Sequence, residues 1–339
     1  MVRPTGAHDD ARAGTAAQPI PASRLADAVR ATVHRVAASE TSVRAGRRRV
    51  RISSADKLLF PTDGITKLEL AEYYAQIAPV MVPHVRDRPL NLWRWNKGIE
   101  SDVVVQQEIP RGAPEWVRRA SVARRRGGSV CHAVGGEAAT LVWLANLNCI
   151  TPHAWTSRAE RPDHPDRLVF DLDPPEADPE AHFPAIRAGA RALGLLLEEL
   201  GLVGFAMTSG SRGLHVVAPL RRRADSDQAR AVAGTIAETL AARLPDLLTT
   251  AWRKEKRGGR VLVDVARNTY AQTTVAPYAV RALPGAPVAT PLAWEELEDP
   301  DLHPRRWTLA SVSARVAERG DPWARISASA SALPVMPRG

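Results

Sequence analysis

The sequence holds only two cysteines, Cys131 and Cys149, and no CxxC pair. That excludes a disulfide framework, and two buried apolar thiols are the expectation. No apolar run approaches the ~20 residues a membrane span requires, and the N-terminus lacks the apolar core of a secretion signal. A soluble, cytoplasmic protein is the expectation. Phe and Tyr are scarce, four of each against nine Trp, so a single Trp is weak evidence for a site. There is no GxxxxGK[ST] loop, so the usual P-loop phosphate cradle is excluded. A KxDG lysine-nucleophile motif is also missing, and no ligase module is expected in the chain.

The positive features begin with charge. The 339 residues include 46 Lys+Arg against 37 Asp+Glu, a net charge of +9. A basic surface favours polyanions, either nucleic acid or an anionic membrane face. Apolar residues at 45% are enough for a substantial core, and the 27 prolines are spread along the chain without forming one linker. Residues 1–46 read as a flexible basic N-terminal tail with little to bury, within which Leu25 to Ala38 has the pattern of a short helix. The run Arg44, Arg47, Arg48, Arg49 and Arg51 fits a solvated strand edge or a disordered arm. A domain is expected over 47–325, with an N-terminal part at 47–160 and a catalytic part at 161–325. A Ser/Ala/Pro-rich C-terminal tail follows at 326–339.

Apolar spacing from Leu68 to Met81 predicts a helix, with Thr66 as N-cap and Glu69 completing a capping box. Leu90 to Trp95 reads as a strand, and Glu137 to Leu147 as a helix followed by a turn at Pro152. Further on, Arg167 to Asp173 reads as a strand stopped by Pro174. A helix at Phe183–Leu200, strands at Phe205–Thr208 and Leu214–Ala218, a helix at Asp227–Leu244 and a strand at Arg260–Val265 complete the pattern. Gly285 to Pro291 reads as loop. This order predicts an α+β fold, with mixed or antiparallel sheets and packed helices.

Asp171 and Asp173 stand at i and i+2 on a strand and so share one face. Two adjacent carboxylates repel unless a cation lies between them, which invites a hard divalent metal; a pair of turn-capping aspartates is the plainer alternative. Asp264 ends a second apolar strand, beside Arg267 and Asn268. Three carboxylates on neighbouring strand ends could hold two metals and activate a hydroxyl. Thr208-Ser209-Gly210-Ser211-Arg212-Gly213-Leu214-His215 lies between two strands. Its glycines, hydroxyls, Arg212 and His215 suit an anion cradle, or simply a glycine-rich hairpin turn. Arg124-Arg125-Arg126 and Arg253-Lys254-Glu255-Lys256-Arg257 could touch a phosphate backbone. Trp93 and Trp95, flanking Arg94, could stack on bases or pack on one strand face.

Together these segments resemble the polymerase domain of bacterial ligase D, within the archaeo-eukaryotic primase superfamily. The resemblance runs from about Ser54 to Trp323. Its strongest stretches are Leu141 to Asn146, Leu168 to Pro174, Thr208 to His215 and Arg257 to Asp264, extended by Asn268 and Thr273 to Tyr278. It implies a primase-polymerase catalytic core in which Asp171, Asp173 and Asp264 bind the metals, manganese or magnesium. Ser209, Arg212 and His215 would hold the nucleotide sugar and triphosphate, with His153, Arg257 and Arg94 also on the nucleotide. Lys57 and Lys67 would grip the 5′-phosphate of a gapped DNA. The implied activity is extension of primer ends and filling of short gaps in non-homologous end joining. Ribonucleoside triphosphates would be favoured over deoxyribonucleotides, with Ku and a DNA ligase as partner proteins and a nucleoid-associated location.

The sequence departs from the family at several places. Trp93 stands where some members have Lys, Val104 and Val105 replace a Phe pair, and Gln107 and Gln272 replace lysines. The alternative these departures leave open is a non-catalytic module that binds DNA ends or gaps. Lacking a ligase motif, the chain is expected to be a stand-alone relative.

Overall fold

The computed structural model describes residues 41–175 and 180–335. The expected helix at Leu25 to Ala38, and nearly all of the expected tail, lie outside them. The first described element is strand β1 (Ser42–Ala45), which pairs antiparallel with β2 (Arg48–Arg51). Val43, Ala45 and Val50 are buried, while Arg44, Arg47, Arg48, Arg49 and Arg51 are exposed. The basic run is therefore a solvated strand edge. It starts ahead of the expected boundary at 47 because its alternate residues are apolar and have a core to join.

A short pair, β3 (Leu58–Phe60) and β4 (Ile65–Thr66), leads into α1 (Lys67–Val85). Both halves of the predicted capping box are made: Thr66 accepts from the Glu69 amide, and Glu69 accepts from the Thr66 amide. The helix buries Leu70, Ala71, Tyr74, Ile77, Ala78 and Met81, the face the sequence spacing predicts.

The first sheet comprises β5 (Pro89–Arg94), β6 (Val104–Gln106), β7 (Arg119–Ala123), β8 (Ser129–Val134) and β9 (Cys149–Trp155), with α2 (Ala138–Asn146) between the last two. β9 is buried along its whole length, and the turn expected at Pro152 is instead the middle of this strand. Pro152 pairs with Leu92, and its carbonyl points the other way, to the Ala276 amide at 3.1 Å. Its nitrogen faces that same side, where the next strand has already ended its ladder, so no donor is missed.

The second sheet takes β10 (Arg167–Asp173), β11 (Phe205–Thr208), β12 (Leu214–Pro219), β13 (Leu248–Thr249) and β14 (Val261–Asp264), with α3 (Phe183–Glu199) and α4 (Ser226–Arg243) in the connections. β15 (Thr273–Val275) returns to the first sheet beside β9, and β16 (Pro291–Leu292) closes the second beside β11. The order in the second sheet is β13-β14-β10-β12-β11-β16. Among its described pairs only β13 and β14 run parallel, so the fold is α+β with a mixed sheet. Part of the expected loop at Gly285–Pro291 is thereby strand: Val288 and Ala289 are buried, and Pro291 pairs with Met207.

Strand alternation divides the second sheet chemically. Leu168, Phe170 and Leu172 pack with α3 and α4. Val169, Met207 and Val217 join the core of the N-terminal half, so Asp171, Asp173 and His215 share that inner face. The start of β10 carries a buried ion pair, Arg88 to Asp166 at 2.6 Å. The C-terminal segment also differs from expectation. Ile326 is buried, and Ser331 bonds both Arg221 and Pro219, so the segment 326–331 is docked beside β12. The last described α-helix is α5 (Val312–Arg319). Among the described residues no helix is long and apolar enough to cross a membrane.

Candidate active site

Register assembles the acidic row. Asp171 stands opposite Asp264 on one neighbouring strand and opposite His215 on the other, so the three side chains lie abreast. Asp173, two residues on, extends the row toward the strand end. His215 Nε2 is 3.3 Å from an Asp171 oxygen. That imidazole, with Arg267 and Arg281, holds the Asp171 carboxyl below its ordinary range despite burial. Asp173 goes the other way: burial, then Asp171, and more weakly Asp264 raise it to about 6, against the pull of Arg212 and His215. The row thus carries negative charge its own neighbours do not balance, and this donor chemistry fits a divalent cation. Among the described residues, however, no three His, Cys, Asp or Glu side chains form a finished ligand group.

One side chain fixes the register. Asn268 donates from Nδ2 to the carbonyl oxygens of Val169 and Val265, and its Oδ1 accepts from the Val169 amide. The carboxamide thus continues the ladder between β10 and β14 after the backbone pairs end at Asp171 and Asp264.

The Ser209–Gly213 loop joins β11 to β12 beside the row. Ser209 Oγ accepts from the amides of Ser211 at 3.2 Å and Gly213 at 3.1 Å. The hydroxyl therefore organises the turn while its own proton stays available. A Cβ on Gly213 would stand 2.0 Å from the Leu172 carbonyl oxygen, so only glycine lets the loop lie against the strand that bears the aspartates. Arg212 is exposed, close enough to Asp173 to oppose its raised pKa.

His153 faces this row from β9. It is buried, and neither ring nitrogen has a hydrogen-bond partner among the described residues. Burial, then Arg281, Arg267 and His215, push its pKa well below the usual histidine value. It is therefore neutral at physiological pH, with a free donor and a free acceptor. Trp93 lies flat on its ring, centroids 4.2 Å apart and planes 4° apart. Trp93 thus backs the histidine. Arg257 is buried beside the strand end, within reach of the Pro174 and Trp252 carbonyls.

Two predicted groups lie elsewhere. Lys57 and Lys67 come together across β3 and β4. Lys67 Nζ bonds the Ser53 carbonyl at 2.5 Å and its pKa is lowered by burial and by Lys57; Lys57 donates to the Asn96 carbonyl. Arg94 is not brought to the carboxylates: its guanidinium spans the Leu147 carbonyl, Gln106 and Asn96. Val104 and Val105 are exposed on β6.

The sequence reading missed Arg281. It is half-buried, bonds the Ser209 carbonyl at 3.1 Å, and has its pKa lowered by desolvation to about 10 against the pull of Asp171. No local motif marks it, because it reaches the site from an irregular segment.

A mixed sheet with an acidic row on its inner face, a glycine-pinned loop beside it and an unpartnered histidine opposite is the arrangement of a nucleotidyltransferase of the primase-polymerase class. The model of the family "LigD, primase-polymerase domain" matches residues 66–323. The multifunctional non-homologous end joining DNA repair protein LigD of Mycobacterium tuberculosis is 37% identical over 294 residues, 84% of this chain and 38% of the relative. The Bacillus subtilis bifunctional non-homologous end joining protein LigD is 28% identical over 278 residues, 81% of this chain and 44% of the relative. The solved polymerase domain of Mycobacterium tuberculosis ligase D, in complex with DNA, superposes with a TM-score of 0.77 at 36% identity, covering 84% of this chain and 100% of that one. The chain belongs to the LigD primase-polymerase domain family. It spans less than half the length of these LigD relatives.

Proposed function

We propose that the chain is a template-directed nucleotidyltransferase that adds nucleotides, ribonucleotides by preference, to primer ends and short gaps in DNA during end joining in the cytoplasm. The observation that carries this reading is the acidic row, set by register and faced by the unpartnered His153. Asp171, Asp173 and Asp264 would hold manganese or magnesium. Held there, a divalent ion would supply Lewis-acid activation of the primer hydroxyl and charge for the leaving pyrophosphate. Neutral His153 donates to a phosphate oxygen, and Arg212, Arg257, Arg267 and Arg281 balance the triphosphate charge. His215 holds Asp171 in place. Gapped DNA is the polymeric partner, with Ku and a DNA ligase as associated proteins. Primer extension on gapped, 5′-phosphorylated DNA, with each nucleotide set and each of the two metals, tests it. Absence of template-dependent extension in every combination would sink the proposal.

Two outcomes follow from the placement of single residues. On this reading the Ser209 hydroxyl, whose oxygen accepts two turn amides, would donate to a sugar 2′ oxygen, and a site that bonds a hydroxyl rejects the analogue lacking it. Ser209→Ala should narrow the ribonucleotide preference about 10-fold while costing about 1 kcal/mol of stability through the lost turn bonds. A kcat/KM ratio for ribo- over deoxyribonucleotide equal to the parent's would put discrimination elsewhere. At Lys57 and Lys67, two cations beside a helix N-terminus suit a phosphate. A 5′-phosphate at the gap should tighten binding about 10-fold, and the Lys57→Ala, Lys67→Ala pair should erase the gain. Equal parental affinity for phosphorylated and hydroxyl gaps counts against this pocket.

A further inference from the structure

We infer that the arginine-lined cavity at the start of β10 is a second anion site, built for a phosphate group and separate from the acidic row. The cavity holds about 280 Å³ and is lined by Arg88, Arg158, Arg167, Arg221 and Arg222 around the single carboxylate of Asp166. Arg167 and Asp171 are four residues apart on one strand, so roughly 13 Å separates this site from the nearest aspartate of the row.

The groups in the cavity fall into a fixed layer and an available one. Arg88 is fully committed, to Asp166 and to the carbonyls of His84 and Trp155. Arg167 bonds the His84 carbonyl at 3.0 Å and lies 3.8 Å from Asp166. Arg158 and Arg222 are the available layer. Arg158 touches Asp166 through Nε and stands 3.9 Å from Asp87 through Nη1. Arg222 gives one nitrogen to the exposed Glu160 at 2.6 Å; its Nε and second Nη are buried without a partner among the described residues. Five guanidinium groups thus face three carboxylates, one of which, Asp87, is shared with Arg118.

Such an excess is costly in a partly closed space unless an anion enters. Burial and the neighbouring arginines lower Arg167 to about 9 and lower Arg88 as well, as expected where positive charge is crowded. The planar forks of Arg158 and Arg222 match phosphate oxygens two at a time. A cavity of this size has room for a phosphate or pyrophosphate. The phosphate has two sources with the same chemistry, a free inorganic anion or the backbone of bound DNA.

Calorimetric titration of the full chain with inorganic pyrophosphate, free of divalent metal, tests the site. Arg158→Gln with Arg222→Gln should weaken one binding event about 10-fold or more, and Arg212→Gln, at the acidic row, should leave that event intact. Glu160→Gln frees Arg222 and should tighten the same event about 3-fold. Gapped DNA is the second arm. If the double variant also binds DNA with a salt slope smaller by one or two contacts, the backbone is the source; unchanged DNA binding assigns a free anion. Parental pyrophosphate and DNA affinities in the double variant overturn the proposal. Should that variant not fold, an unchanged pyrophosphate affinity in Glu160→Gln overturns it alone.

Discussion

Asp173→Ala should lower nucleotide incorporation by ~10³-fold or more, and without divalent metal it should melt at a higher temperature than the parent. The two effects have one cause. Burial and the charges of Asp171 and Asp264 raise the Asp173 carboxyl to about 6, so its ionised form is disfavoured in the folded state. Removing it relieves that repulsion, the stability–function exchange expected where like charges are held for a ligand. Asp171→Ala should lose activity equally without the gain, because Asp171 is already compensated by His215, Arg267 and Arg281. Primer extension and thermal melts in a chelator check both. Extension at the parental rate by the Asp173 variant would remove Asp173 from the metal site, whereas a parent that binds gapped DNA but extends no primer with either metal would support the alternative, a DNA end-binding module without catalysis.

Asp166→Ala should destabilise the fold by about 3–5 kcal/mol, read as a lower denaturant midpoint with unchanged slope. Asp166 is the carboxylate between Arg88, Arg158 and Arg167, and without it those buried cations face one another. Although burial opposes it, Arg88 and Arg167 hold the Asp166 carboxyl at about 2. For a carboxyl whose folded pKa is depressed, the stabilisation is present above its ordinary pKa and is lost as pH falls through the folded one. The parent should lose this contribution between about pH 4 and pH 2, and the Asp166 variant should lack that segment of its acid-unfolding curve. A destabilisation under about 1 kcal/mol would show that the arginines pair with other groups when Asp166 is gone.

What the sequence displays follows the strength of local patterns. The Thr66–Glu69 box and the 3.6-residue apolar spacing after it are short-range, and α1 forms as read. Asp171 and Asp173 share a face from period-two alternation alone. That Asp264 and His215 would stand abreast of Asp171 depends on register between distant strands, which no single segment encodes. β7 escapes a sequence reading because among its five residues only Val122 is buried, leaving almost no alternation to detect. Pro152 misleads because its strand tolerates it only through the early end of β15. The apparent tail at 326 looks polar, yet Ile326 has a buried seat. Arg94 lies next to Trp93 in sequence but bonds Leu147, Gln106 and Asn96, away from His153.

The Asn268 clamp implies a division of tolerance across the protein. Its amide stands in for a peptide group, giving and receiving as a neighbouring strand would. No apolar residue offers that pattern, and Asn268→Asp would set a carboxylate against the Val169 carbonyl. A position whose side chain is spent on backbone bonds is therefore as narrowly prescribed as the aspartates whose spacing it maintains. Drift in this lineage should accumulate on the exposed β6 and the Arg-rich hairpins while position 268 stays an amide, so a catalytically idle side chain records whether the site is still under selection to work.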